Sequence, residues 1–421
     1  HLSIRRQRQM CIRDRLNITS HNGFQLDLVN LWSIVELYED IYSSSVSMRI
    51  QMLDTGNNIR ALPIIGQEDV EIEFDLLSDG SFYAPISLSM KIVKISDLSK
   101  EGQNQTFVLE LVTKDFMQNF DTRISEYFEG PASQIAAQVY GQLGSSKNLM
   151  IRTSDDQHEL IVPNFTPLKA LDWLAGRAYQ ADNASYLFFE NNREYVFAPF
   201  PVLIEAQEKN KFLVDAKFNT GEDQNAEDKK TIYFRWNSTF DNIKNITSGF
   251  YNATVFSHDI VGREMKEIVH SFWDNFSDYK TITGKPFQDV SGTGYQYKPE
   301  VQFYVPENSL GVGSGDATGG LFQEEIFMRR KFHMQLFNNL KCEIGIFADP
   351  KLGAGDTIEL NFNSNFDEKD EKLHSGKWLI SAIKHEIDRG KNDYRMRIEC
   401  VRDSVGVDYP QPIPILKQEK A

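Results

Sequence analysis

Cysteine is scarce, with three in 421 residues: Cys11, Cys342 and Cys400. Thiols so few and so far apart make neither a disulfide framework nor a zinc site, and a reducing compartment is the expectation. Long apolar runs are also missing. No stretch approaches the roughly 18 apolar residues of a membrane span, so no membrane insertion is expected, and no signal peptide is visible. Catalytic signatures are lacking too: there is no G-x-S-x-G and no H-E-x-x-H. Histidines are scattered. His258 and Asp259 are neighbours, and strand neighbours point to opposite faces. His270 and Asp274 stand at i, i+4 without a third metal ligand nearby. His374 lies in an acidic stretch with Asp367, Glu368, Asp370 and Glu371, read as a solvated turn, and His385-Glu386 sits at a strand end. The glycine-rich Gly311-Val312-Gly313-Ser314-Gly315 is followed by no GK[ST], which excludes a phosphate-binding loop. These absences predict no catalytic residue, no cofactor and no metal.

Positive charge is in short supply: 45 Lys and Arg face 60 Asp and Glu, a net −15. Five of the arginines crowd into His1–Arg15. Its core, RRQRQMCIRDR, resembles a sequencing adapter translated in one frame, so residues 1–15 are expected to be foreign to the protein. Setting aside that segment's net +4 leaves −19. So acidic a chain is a poor binder of nucleic-acid backbone. The charge suits solubility, and equally a channel that DNA passes without adhering.

What is present is β-forming. Hydrophobic residues make up 41 % and aromatics 12 %, with 29 Phe and 16 Tyr, which favours strands. Residues 16–115 alternate with period two: Met48, Ile50, Met52; Val70, Ile72, Phe74; Phe107, Leu109, Leu111. Residues 116–230 change character. Pro131 opens an amphipathic helix, Ala132–Leu143, and Thr166-Pro167 opens another to Tyr179, with Thr166 as N-cap. A hairpin follows, Tyr186–Phe189 and Tyr195–Phe197, then a charged linker. Strands resume over 231–274. Residues 275–322 are loop-rich. Glu324–Leu340 reads as a long helix whose face carries Ile326, Phe327, Arg330, Met334 and Phe337. Four strands follow to residue 404. Residues 405–421 form an extended tail containing Tyr409-Pro410-Gln411-Pro412-Ile413-Pro414-Ile415.

The two β regions resemble each other. Glu68-Asp69-Val70-Glu71-Ile72-Glu73-Phe74 and Asp356-Thr357-Ile358-Glu359-Leu360-Asn361-Phe362 share one pattern. Each follows a glycine, Gly66 or Gly353, and each precedes two further strands. These close on Lys114-Asp115 and Arg402-Asp403. A duplicated β-barrel is the expectation, and three chains with two barrels each would place six similar units around one axis.

Three stretches resemble contractile-tail hub proteins, namely the T-even-type baseplate hub and the related VgrG spike of type VI secretion. They are Pro163–Ala175 with the hairpin at Tyr186; Asp349-Pro350-Lys351-Leu352-Gly353-Ala354-Gly355-Asp356-Thr357-Ile358; and Gly376-Lys377-Trp378 through Arg402-Asp403-Ser404. The resemblance spreads over most of residues 40–404. It implies a mainly β fold with α+β insertions. A first antiparallel barrel would span 16–115, a helix-hairpin module and linker 116–230, and a split second barrel 231–274 plus 323–404, with 275–322 inserted. It further implies a homotrimer joining the tail tube or its initiator to a central spike, beside baseplate wedge proteins, with DNA passing through without specific binding. The expected location is the virion, after synthesis in the host bacterial cytoplasm. The spike would be a separate chain, which Tyr409, Pro410, Pro412 and Pro414 could meet. Gly353, Gly355, Asp356, Trp378 and Asp403 are the structural motif residues. A β-rich adhesin or carbohydrate-binding protein is the alternative, and a hydrolase the third reading.

Overall fold

The computed structural model describes residues 12–407 except 29, 55–63, 67, 79–80, 83–85, 102–103, 182, 215–229, 239, 260–261, 287–300, 308–322, 348, 363–371 and 392. The tail residues Tyr409, Pro410, Pro412 and Pro414 and the loop Gly311–Gly315 therefore lie outside the described residues.

The first β unit contains β1 (Ile12–Thr19), β2 (Gln25–Asp27), β3 (Trp32–Asp40), β4 (Ser47–Asp54), β5 (Asp69–Ser78), β6 (Ser81–Phe82), β7 (Ile86–Glu101) and β8 (Asn104–Thr113). Period-two alternation places Met48, Ile50 and Met52 on the same buried face as Leu109 and Leu111, as antiparallel pairing of β4 with β8 requires. β1 begins inside the segment set aside as foreign. Its residues Ile12 to Arg15 continue the ladder with β5.

A helix-hairpin module follows. It holds β9 (Tyr127–Gly130), β10 (Asn148–Ile151), β11 (His158–Ile161), β12 (Tyr186–Glu190) and β13 (Glu194–Pro199), with helices Ala132–Leu143 and Pro167–Ala175. The second helix ends at Ala175, short of the expected Tyr179. Thr166 occupies its N-cap without a side-chain cap bond; Asn119 instead accepts from the Leu168 N–H at 2.8 Å.

The second β unit holds β14 (Lys211–Val214) and β15 (Tyr233–Ser238), then, after an interruption, β19 (Leu340–Phe347), β20 (Thr357–Phe362), β21 (Gly376–Asp388) and β22 (Asp393–Arg402). The interruption contains β16 (Asn252–Asp259), β17 (Glu264–Ser271) and β18 (Val301–Glu307), then the helix Gln323–Leu336. β16 and β17, expected in the second barrel, lie outside its sheet and form a separate one in the order β17-β16-β18, with β18 a strand inside the supposedly loop-rich segment. The helix stops before Leu340, which starts β19. Its buried side includes Ile326, Met328, Phe332, His333 and Leu336, whereas Phe327 is 38 % exposed and leans on Phe303.

The two β units have the same topology. In chain order β1, β3, β4, β5, β7, β8 and β14, β15, β19, β20, β21, β22 correspond. The first set pairs in the order β1-β5-β7-β8-β4-β3, the second in the order β14-β20-β21-β22-β19-β15. One pair differs in sense: β1 is antiparallel to β5, β14 parallel to β20. Register extends the likeness to residues. Val70 faces Met90 where Ile358 faces Trp378, and a bulge follows Ile92 and Ile380 alike. The amide of Ile92 donates to the Glu68 carbonyl as that of Ile380 donates to the Asp356 carbonyl. The closing match is corrected by one residue. Val112 pairs with Lys91 and Val401 with Leu379, so Arg402 corresponds to Thr113 and not to Lys114.

Candidate functional site: the seam between the β units

β3 of the first unit pairs antiparallel with β21 of the second, from Ile34 opposite Asp388 to Asp40 opposite Ala382. The sheet is therefore continuous across the chain's two halves. The strands meet along a polar line inside an apolar core. Glu39 and His385, 346 positions apart, bond at 3.1 Å through Nε2, and His385 Nδ1 lies 2.6 Å from the Tyr394 hydroxyl. The other Glu39 oxygen accepts from the Ala354 amide at 3.0 Å. All three side chains are buried, so each needs a partner. Burial pushes the Tyr394 hydroxyl well above its ordinary range, which keeps it a neutral donor or acceptor. His385-Glu386 is thus part of a strand-to-strand tie.

The hairpin of the helix-hairpin module plugs this seam from one side. Its strands are buried on both faces. Tyr186, Phe188, Tyr195 and Phe197 pack on the module's own helices. Leu187, Phe189, Val196 and Ala198 pack against Ile41 of the first unit and Ala354, Leu379 and Val401 of the second. Alternation along a strand produces this division. The turn between the strands grips both units. Glu190 accepts from the Val46 amide and the Thr113 hydroxyl, each at 2.9 Å, on the first unit. Lys147 of the module closes on its other oxygen at 2.7 Å. Burial raises the Glu190 carboxyl's proton affinity, and the Lys147 ammonium opposes that. Towards the second unit, Asn191 donates to the Ala354 carbonyl at 3.3 Å. Arg193 donates to the Lys351 carbonyl at 2.7 Å and to Asp356 at 2.8 Å.

This geometry places three of the five motif residues. Gly355 has φ +89°, and a Cβ there would lie 2.6 Å from the Phe189 ring. The position needs glycine for its backbone and for the close approach of the hairpin. Asp356 bonds Arg193 and also accepts from the Gly353 amide at 2.9 Å, which fixes the turn into β20. Burial raises its carboxyl pKa against the pull of Arg193.

Trp378 and Asp403 stand apart from the seam turn. Trp378 is fully buried, donates to the His374 carbonyl at 2.9 Å and meets Trp236 and Phe362. Arg402 lies over its ring and donates to the His374 and Ser375 carbonyls. Burial brings the Arg402 guanidinium down to about 10. Asp403, also buried, takes the Ile282 amide and the Ser404 hydroxyl, and burial pushes its carboxyl up to about 6. Asp403 ties Ile282 of the inserted segment to the second unit, while Trp378 packs within that unit.

The histidines do not converge. His258 Nδ1 lies 2.6 Å from the Tyr304 hydroxyl. His270 lies at the end of β17, next to its last residue Ser271, while Asp274 belongs to the short helix Phe272–Asn275, so the two do not share one helix face. His270 bonds Tyr279, and burial lowers it to about 4. His374 packs on Trp236. Among the described residues no group of three His, Cys, Asp or Glu is placed to hold a metal, and no helix is long and apolar enough to cross a membrane. A cleft of about 710 Å³ lies beside Arg402; among its lining charges Lys377 pairs with Glu208 and Lys280 with Glu205.

No protein-family model and no curated protein matches this chain. Solved structures do. The tail protein from Neisseria meningitidis MC58 is 10 % identical, with a TM-score of 0.56 over 93 % of this chain and 98 % of that one. The 43 kDa tail protein of prophage MuSo2 from Shewanella oneidensis is 12 % identical, with a TM-score of 0.54 over 93 % and 100 %. At such identity the likeness is one of fold: the chain is mainly β, with α+β insertions, and has the fold of these tail proteins.

Proposed function

We propose that this chain is a structural hub subunit of a contractile phage tail, assembling as a trimeric ring of six like β units around an axial channel. The observation that carries the reading is the shared strand order of the two units, joined edge to edge within one chain. A threefold assembly of such chains presents a nearly sixfold face, which suits a position between a sixfold tube and a threefold spike. The fold shared with two tail proteins supports the same role, as does a site whose polar groups are spent on joining elements. The partners are the tail tube or its initiator, the central spike, and wedge proteins of the baseplate. The net charge of −15 lets DNA pass the channel without adhering. The location is the virion.

Light scattering coupled to size exclusion tests the reading, with negative-stain images of the same fractions. A mass of three chains and ring-shaped particles are expected; a monomer at micromolar concentration, with or without a spike chain, overturns it. The segment Tyr409, Pro410, Pro412, Pro414 is proposed to dock on the spike, since proline-rich segments lose little entropy on binding. Truncation after Val407 spares the buried Asp403 and Val405. It is expected to weaken spike binding at least tenfold, and unchanged affinity eliminates the docking.

A further inference from the structure

The two β units differ at one edge. In the second unit β21 forks: Gly376–Leu379 pair with β20 and Ala382–Asp388 with β3. Both partners lie on the same side, because β22 occupies the other. In the first unit β7 pairs with β5 through Ile86–Lys91, and with β8 on the other side. Beyond Lys91, among the described residues, no strand pairs with β7 on the β5 side. The fork is the same, with one prong empty.

Exposure marks the vacancy. The shared register puts Val93 on Ser381, the bulge residues, and Ile95 on Ile383. Val93 is 44 % and Ile95 37 % exposed, while Ser381 is 1 % and Ile383 2 % exposed. The difference is what a covering strand removes. Leu98, farther along the same open stretch, is 63 % exposed. A long, apolar, unpaired edge is a template for another strand.

The complementary edge is also present. β15 corresponds to β3: Phe234 faces Ile344 where Val35 faces Ile50. The far side of β3 carries β21. The far side of β15 carries no strand among the described residues, and β15 ends the sheet. Tyr233 at its start is 37 % exposed. Each chain thus holds one filled junction, β3 on β21, and the two unmatched halves of a second.

We propose that β15 of one copy pairs antiparallel with the open stretch of β7 in a second copy, repeating between chains the β3–β21 junction inside each. The contact is heterologous, head to tail, and closes into a ring only if the rotation closes. It rests on the ring reading above and names the strands that make the ring. The register follows from the internal junction. Glu36 faces Glu386; Arg235 corresponds to Glu36 through its pairing with Glu343. Ser99 corresponds to Glu386 through Thr106 and Arg395. Arg235 therefore faces Ser99 of the neighbouring copy, at the separation of directly opposed strand residues, within reach of a disulfide.

The test uses the full chain carrying Cys11→Ser, which leaves only the buried Cys342 and Cys400. Ser99→Cys and Arg235→Cys are combined, the protein is oxidised mildly, and non-reducing gels are read. Both positions are exposed, so the fold tolerates the changes. Covalent species of two and three chains are expected from the double variant. A mixture of the two single variants should give covalent pairs, and neither single variant alone should. The pair Glu36→Cys with Glu386→Cys serves as the internal control, forming a disulfide without raising the mass. A three-chain particle by light scattering with no Ser99–Arg235 crosslink, while the internal control forms, overturns this pairing and leaves the ring reading standing. Crosslinks from Ser99→Cys alone make the contact isologous and overturn the pairing too. A monomer overturns both.

Discussion

At the scale of single residues, the structural motif Gly353-Ala354-Gly355-Asp356 is a receptor for the module's hairpin. Gly355 combines a left-handed backbone with a ring 2.6 Å from where a Cβ would stand. Gly355→Ala is expected to cost roughly 2 kcal/mol, read as a lower urea midpoint with an unchanged slope; an unchanged midpoint removes the close-approach account. His333 is the clearest pH-sensitive position. It is buried among Phe200, Tyr279 and Phe337, and among the described residues neither ring nitrogen has a hydrogen-bond partner. Burial lowers its pKa from the ordinary 6.5 to about 3. The folded chain keeps it neutral where the unfolded chain protonates it. Its stabilising contribution is complete above pH 6.5 and declines as pH falls towards 3. His333→Leu should therefore flatten the stability profile between pH 6 and 4 by about 1.4 kcal/mol per pH unit, measured by denaturant titration at each pH. An identical slope in both proteins contradicts the buried neutral histidine.

Among elements, the hairpin β12–β13 joins three bodies: module, first unit and second unit. Glu190 is its most committed residue, fully buried and held by Val46, Thr113 and Lys147. Removing one member of a buried ion pair leaves its partner uncompensated, at a cost of roughly 3–5 kcal/mol. Lys147 keeps some solvent contact, which puts Glu190→Ala near the lower end. The Val46 amide loses its acceptor in that variant, so its hydrogen exchange should accelerate more than that of Ile50, whose strand bonds are untouched; equal acceleration of both would mean the hairpin is not the local clamp. The elements show how far the sequence could be read. Ala132–Leu143 and the hairpin are legible because local periodicity dictates them. The repeat at Val70 and Ile358 is legible because equivalent strands bury equivalent faces. The seam is not, since pairing of Glu39 with His385 is set by strands hundreds of positions apart and leaves no local trace. Nor is β18, a strand next to a glycine-rich stretch. The helix Gln323–Leu336 misleads for another reason. It is covered on more than one side, so buried Met328 and His333 fall off the single stripe that periodicity selects.

For the whole molecule, the shared strand order would, on the proposed pairing, turn one internal contact into a rule for assembly. Among the described residues the chain has one filled junction, two unmatched edges and apolar strand exposed at Val93, Ile95 and Leu98, which the proposed pairing would cover. Stability should then depend on concentration. Unfolding of a trimer releases three chains, so a tenfold rise in protein favours the assembled state by about 0.9 kcal/mol per chain through mass action. With an unfolding entropy near 2 cal/mol/K per residue, the 421 residues translate this into about 1 °C in Tm per decade. Calorimetry across two decades of concentration resolves such a shift. Val93→Lys with Ile95→Lys places two ammonium groups on the edge that β15 of the next copy must approach. Both positions are exposed in the single chain, so the substitutions leave its own core alone, while like charges and lost apolar cover oppose strand addition. The double variant should keep its secondary structure, sediment as a monomer and melt at a temperature independent of concentration. A variant that still assembles, with the wild-type dependence of Tm on concentration, would show that the ring closes through some other face.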